Sequence, residues 1–285
     1  MSRYETLRPE GYLPRLADGL VRRALEEFGG VEVCGPRWCG KSWTSMAHGS
    51  SITRIDERVA LYEDDPSLAL IGMRPHIVDE WQDVPAIWNV IRHAIDDDGN
   101  APGQFILTGS SSPMDKNRES QRHSGAGRIA RVQMSTMTLH ELGASTGGVS
   151  LRALFDGSFS PALSNSSLMS LSGNICHGGW PALASRTGLS SGQVVQQYLD
   201  ALFEETMPKA GKSPVLSRRI ATSLARNVAT SAKLATIAAD AASGEGSAPT
   251  GETVSSSIKE FGRNYFLEML PGWDAPVRAK SRLKT

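Results

Sequence analysis

The eight residues Gly35-Pro36-Arg37-Trp38-Cys39-Gly40-Lys41-Ser42 satisfy the pattern G-x-x-x-x-G-K-[ST], and no other string in the chain restricts its fold so much. The pattern works only between a strand and a helix. Its glycines let backbone N–H groups approach phosphate oxygens, and the helix amino terminus adds partial positive charge. Both flanks are present: Val31-Glu32-Val33-Cys34 reads as a short strand, fed by a helix over Leu20 to Glu27 that Gly29-Gly30 ends, and Trp43 to His48 continues as a helix. Gly35 to Trp43 is therefore the expected binding segment, with Lys41 on the β and γ phosphates of a nucleotide and Ser42 on its Mg²⁺. Cys39 is read as a small loop residue rather than a reactive thiol.

Further strands are expected at Ser51 to Asp56, His76 to Asp79, Gln104 to Thr108 and Arg128 to Met134, the last followed by Leu139-His140-Glu141-Leu142. Between the second and third of these, Ile87, Val90, Ile91, Ala94 and Ile95 form one helical stripe over Pro85 to Asp96. Strands alternating with helices imply a parallel α/β sheet covered on both faces. Composition changes near Gly143: serine and glycine dominate to Asn174, with one amphipathic interruption at Val149 to Phe155, so the stretch reads as a connection. Helices are expected over Gly192 to Glu205, Val215 to Thr230, Ala232 to Ala242 and Thr253 to Tyr265. The division is thus a P-loop domain over 1–143, a Ser/Gly-rich connection over 144–190 and a helical segment over 191–285.

Parallel strands of such a sheet end on the ligand side, which gives the residues after them chemical meaning. Asp79 and Glu80 end one strand: the aspartate is placed to hold Mg²⁺ through water and the glutamate to orient or deprotonate the attacking water. Thr108-Gly109-Ser110 ends the next and faces the same crevice, so Ser110 or Thr108 can sense the γ-phosphate or fix the water. Arg128, after Gly125-Ala126-Gly127, is a candidate for stabilising charge on the transferring phosphate, in cis or across a subunit contact.

Tyr12-Leu13-Pro14-Arg15, Gly35 to Ser42, Ile77-Val78-Asp79-Glu80-Trp81-Gln82 with Pro85, Leu107-Thr108-Gly109-Ser110, and Gly127-Arg128 with His140-Glu141 resemble, in order, prokaryotic AAA-type ATP-binding proteins with a C-terminal domain of unknown function. The likeness covers about Tyr12 to Leu142, and more weakly Gly178-Gly179-Trp180-Pro181 and the helices beyond. It implies an AAA-type ATPase core using ATP and Mg²⁺, Asp79 and Glu80 as its acidic motif, Ser110 near the γ-phosphate sensor position, Arg128 as a functional arginine, and a winged-helix-like segment over Val215 to Leu270. The family runs on past the position of Lys284 into a domain resembling a nuclease fold, so the helical segment is expected to be truncated and no activity of that domain carries over. The sequence departs from the family at Trp38-Cys39, where a smaller or polar pair is common, and at Thr206-Met207-Pro208-Lys209, where an acidic, Arg-containing stretch is common.

Thirty Lys and Arg balance thirty Asp and Glu, so no global field favours a polyanion. A nucleic-acid partner would have to use local charge: Arg218, Arg219, Lys259, Arg263 and the tail Arg278, Lys280, Arg282 and Lys284. Three scattered cysteines and six scattered histidines offer neither a disulfide framework nor zinc-ligand spacing. With a polar amino terminus and no apolar run of spanning length, a cytoplasmic protein without a membrane partner is expected. The leading function is Mg²⁺-dependent ATP hydrolysis coupled to a partner. An ATP-gated switch with little turnover is the alternative, and a small-molecule kinase ranks third because no Arg-rich lid is evident. No Asn-Lys-x-Asp guanine reader occurs.

Overall fold

The computed structural model describes residues 6–112, 125–158, 160–164, 166–185, 191–242 and 248–270. Helix α1 (Leu16–Glu27) leads into β1 (Gly30–Cys34), the glycine loop and α2 (Lys41–His48). There follow β2 (Ser51–Arg54), α3 (Val59–Asp64), a 3₁₀ turn (Pro66–Leu70), β3 (His76–Asp79), a second 3₁₀ turn (Trp81–Asp83), α4 (Ile87–Asp97), β4 (Phe105–Gly109) and β5 (Ile129–Gln133). The strands form one parallel sheet in the order β2-β3-β4-β1-β5. Helix α1 starts at Leu16 rather than Leu20 because Asp18 Oδ2 accepts the Arg15 backbone N–H at 2.8 Å and closes an earlier first turn.

Every residue of β1, β3 and β4 is buried, as expected of central strands covered on both faces. Side chains alternate between those faces. Phe105 and Leu107 pack with Val78, Trp81, Trp88 and the α4 stripe Ile87, Ile91 and Ile95, whereas Ile106 packs with Val31, Val33, Ile77 and Val21 and Ala24 of α1. Burying each such large side chain contributes about 1.5–3 kcal/mol, and Ile91→Ala should cost about 2–5 kcal/mol. Glu32 is the exception inside β1. It is 4% exposed and is answered across the ladder by Arg131, with Nε to Oε2 at 2.8 Å and Nη2 to Oε1 at 3.3 Å.

The stretch expected as a connection carries two short helices, α5 (Leu151–Phe155) and α6 (Leu168–His177). Two of its serines are caps rather than linker: Ser150 Oγ accepts from Ala153 N–H and Ser167 Oγ from Ser170 N–H. After α7 (Pro181–Ser185), helix α8 (Ser191–Asp200) runs into a π-helical turn (Ala201–Thr206) and α9 (Met207–Lys209). Pro208 has no N–H to give, so the ladder changes register near it. Helices α10 (Pro214–Arg226), α11 (Leu234–Ala241) and α12 (Gly251–Arg263) close around a separate core of Leu202, Phe203, Met207, Ile220, Ile237, Val254 and Phe261. Among the described residues no strand falls in 191–270, so the wing of the expected winged-helix likeness has no counterpart there.

Candidate nucleotide site

A cleft of about 1050 Å³ opens at the carboxyl ends of the strands. One wall is the glycine loop with Asp56, Glu80, Ser110 and Ser111; the other comes from the helical region through Pro181, Val194, Thr206, Lys209, Arg263 and Asn264. It sits where the chain leaves β1 between its neighbours in the sheet, the usual ligand crevice of an open α/β fold.

The loop takes its shape from two glycines. Gly35 has φ 149°, and a Cβ there would lie 2.2 Å from the Met134 carbonyl oxygen; Gly40 has φ 101° and caps α2 in the left-handed region. Lys41, at the first turn of α2 and 6% exposed, donates from Nζ to the Pro36 carbonyl at 2.9 Å, which keeps the ammonium over the loop. Arg37, Trp38 and Trp43 line the cleft, whereas Cys39 is wholly buried and desolvation pushes its thiol up, away from reactivity.

Ser42 and Asp79, both expected on Mg²⁺, lie side by side. Ser42 Oγ donates to Asp79 Oδ1 at 3.0 Å, and Thr108 Oγ1 donates to the same oxygen. Burial raises the Asp79 carboxyl, against which the Thr108 and Ser42 hydrogen bonds work. Mg²⁺ fits this donor set: Ser42 Oγ offers a hard oxygen, and the Asp79 carboxylate held 3.0 Å from it could accept from a metal-bound water. Among the described residues no group of three or more His, Cys, Asp or Glu could hold a metal, so nucleotide and water would complete the shell.

Glu80 follows in a left-handed conformation, φ 57° and ψ 41°, which costs a non-glycine residue about 1–2 kcal/mol. Its Oε2 accepts from Ser110 Oγ at 3.0 Å, from Ser110 N–H at 3.4 Å and from Gln82 Nε2. The carboxylate therefore faces the strand-end serine inside the cleft. Arg128 does not join this group. Its carbonyl accepts from Gly30 N–H at the amino end of β1, and its guanidinium donates to Asp96 Oδ1 at 2.6 Å, so it stands at the opposite end of the sheet from the glycine loop. A role in cis is thereby removed, because five strand residues separate the two ends.

Other residues in the cleft escaped the sequence reading. Arg263, grouped above with nucleic-acid contacts, lies in the cleft wall, pairs with Glu260 at 2.5 Å and donates to the Ser112 carbonyl at 2.5 Å. Arg218, from the same group, is engaged by Asp200 at 3.1 Å and Glu204 at 3.2 Å, while the basic tail lies outside the described residues. Arg15 is buried behind the loop, and Tyr12 donates to Asp18 Oδ1 at 2.6 Å beside Thr44. The signal that could have found Arg15 and Glu141 was their place in two separate stretches of family resemblance.

Residues 30–143 match a family model described as an AAA domain. Among solved structures the chain is similar to a Walker-type ATPase of Pyrococcus abyssi, at 12% identity and a TM-score of 0.55 over 92% of each chain, a likeness of fold alone. AMPPCP-bound DnaA from Aquifex aeolicus (16% identity, TM-score 0.39, 90% of this chain and 93% of that one) and a RuvB variant from Thermotoga maritima (16%, 0.36, 94% of each) score too low to bear on the argument. No protein with a curated description matches the chain. No helix among the described residues is long and apolar enough to cross a membrane. On the family match and the parallel sheet together, residues 30–143 are an AAA-type P-loop domain.

Proposed function

We propose that this protein binds ATP with Mg²⁺ and hydrolyses it. The observation that carries the reading is the Glu80 carboxylate, held by Ser110 in the same cleft as Lys41 and the Ser42–Asp79 pair. The N–H groups around Gly40 and the Lys41 ammonium receive the phosphate oxygens, Glu80 takes the proton of the attacking water, and Ser110 holds that carboxylate in register. Ser42 and Asp79 would hold Mg²⁺, which would supply positive charge against that of the phosphate oxygens. Lys209 places further positive charge in the wall across from the loop. The coupled partner in this reading is a nucleic acid reached through exposed basic residues such as Arg219. A cytoplasmic setting, where thiols stay reduced, fits the free Cys34, Cys39 and Cys176.

One observation favours a second reading, the ATP-gated switch. Three donors already converge on Glu80 Oε2, which leaves Oε1 alone to meet a water. Binding of a fluorescent ATP analogue and steady-state hydrolysis, each with and without Mg²⁺ and with single- and double-stranded DNA at two salt concentrations, separate the readings. Lys41→Ala should abolish binding; analogue affinity equal to that of the wild type would remove ATP from this cleft. Turnover identifies the ATPase, tight binding without it the switch, and stimulation by DNA that fades with salt the nucleic-acid partner.

A further inference from the structure

Arg15 sits just ahead of α1 with its side chain 4% exposed, and all three guanidinium nitrogens are engaged. Nη1 donates to the Cys39 carbonyl at 2.6 Å, Nη2 to the Ser135 carbonyl at 2.8 Å, and Nε to Glu141 Oε1 at 3.0 Å. Glu141, 126 residues away in sequence, is held as firmly. Its Oε1 also accepts from Leu16 N–H at 2.7 Å, and its Oε2 accepts from Thr138 N–H at 2.8 Å and Thr138 Oγ1 at 3.1 Å. Burial pushes the Glu141 carboxyl up, but hydrogen bonds from Thr138, Leu16 and Arg15 outweigh it and hold the group below the usual range. The ion pair thus ties the amino-terminal segment, the glycine loop and the segment after β5 to one another.

The contact with Cys39 has a consequence at the phosphates. In a planar trans peptide the C=O and the following N–H point in opposite directions. A Cys39 carbonyl drawn back onto Arg15 therefore turns the Gly40 N–H the other way, toward the cleft. Gly40, at φ 101°, is the residue whose backbone freedom would otherwise let that peptide rotate. Resting on the reading that ATP binds this loop, we propose that Arg15, locked by Glu141, is a positioning residue for the nucleotide phosphates: it holds the Cys39–Gly40 peptide with its N–H aimed at them. Arg15 acts through the peptide: each of its three guanidinium nitrogens is already engaged by a protein oxygen, and Nη1 is the one that holds the Cys39 carbonyl.

The test compares ATP with inorganic tripolyphosphate, which has the phosphates and no base. In Arg15→Met the affinity for both should fall by the same factor, roughly ten- to hundredfold, as for the loss of a charge-assisted hydrogen bond. Arg15→Lys keeps the charge but cannot serve two carbonyls and a carboxylate together, and should lose roughly fivefold or more. Glu141→Gln should lose less, and its effect should not add to that of Arg15→Met if the pair acts as a unit. Thermal unfolding of each variant establishes that the measured chain is folded, and Arg15→Lys carries the test should Arg15→Met not fold. Undiminished ATP affinity in a folded Arg15→Lys or Arg15→Met overturns the proposal. So does a loss for ATP that spares tripolyphosphate, which would place the effect on the base side through Tyr12 and Leu13. A wild-type chain that binds neither ligand instead defeats the ATP reading itself.

Discussion

The two walls of the nucleotide cleft are built by different rules. On the sheet side, Asp79, Glu80 and Ser110 stand at the ends of strands whose residues are all buried, and hydroxyl and backbone donors fix their carboxylates. The helical side has its own apolar core, drawn entirely from residues beyond 198. Its contacts with the α/β domain include ring pairs, the Tyr265 hydroxyl at 3.4 Å from Ser112 Oγ, and a reciprocal contact in which Ser112 N–H donates to the Arg263 carbonyl at 3.0 Å while Arg263 Nη1 donates to the Ser112 carbonyl. On the proposed reading, chemistry belongs to the wall fixed at the strand ends and adjustment to the wall that packs on its own core.

The largest effect that can break this division is on Glu80. Glu80→Gln keeps the size and much of the hydrogen bonding but removes the base, so single-turnover hydrolysis should fall by roughly 10²- to 10⁴-fold while ATP affinity changes little. Asp79→Asn should differ by weakening Mg²⁺-dependent binding along with turnover. Measured wild-type turnover that survives Glu80→Gln would take the chemistry away from this strand end and pass the water to Ser110 or Thr108.

Acid should also separate the two regions. His76, on β3 and 1% exposed, donates from Nε2 to the Ala69 carbonyl at 3.0 Å, and desolvation lowers its pKa from 6.5 to about 4. The unfolded chain then takes up a proton below pH 6.5 that the folded chain refuses until about pH 4, so stability is lost as pH falls through that window, to a full extent on the order of 3 kcal/mol. Asp18 and Glu141, held below their ordinary values, add further loss at lower pH, while Asp79, raised by burial, works the other way. Urea unfolding at pH 7 and pH 5 should show the α/β transition weakened and the helical transition unchanged, with the difference reduced in His76→Gln. Equal weakening of both transitions would mean that the two cores unfold as one.

How much of this was legible in the sequence follows the same boundary. The glycine loop, the central strands and the place of Asp79 at a strand end were readable because each rests on local pattern: glycine chemistry, an apolar run, a carboxylate after it. Arg128 was misplaced because a Gly-Ala-Gly-Arg string does not show which end of the sheet it reaches; only the register of Gly30 with Ile129 does. Arg15 and Glu141 are joined by contacts across 126 residues, beyond the reach of any window. Arg263 looked like surface charge because spacing alone cannot show that α12 ends over Ser112. Serine content suggested a connection over 144–174, whereas Ser150 and Ser167 cap helices, a role that depends on one hydrogen bond each.

The smallest predicted effect tests whether the two walls communicate. Trp38 lies in the glycine loop at φ 65°, with its ring edge-on to Trp180 at 5.8 Å and to Tyr198 at 5.5 Å; Tyr198 in turn stacks toward Phe266 at 6.4 Å, which packs against the helical core. Each ring pair contributes about 0.5–1.5 kcal/mol, enough for the two together to offset the left-handed backbone of Trp38, which costs about 1–2 kcal/mol. Trp38→Ala removes the rings and keeps the backbone cost, so ATP affinity should weaken by roughly two- to tenfold. Trp38→Gly, which adopts that φ freely, should lose less than alanine. Trp38→Phe should restore affinity to within about twofold, because a smaller ring still reaches one partner. If nucleotide binding changes the spacing of Trp38 from Trp180, intrinsic fluorescence should respond to ATP in the wild type and much less in Trp38→Phe. Affinity indifferent to alanine, glycine and phenylalanine alike would show that the helical wall merely covers the cleft, with the glycine loop taking its conformation wholly from the Arg15 side.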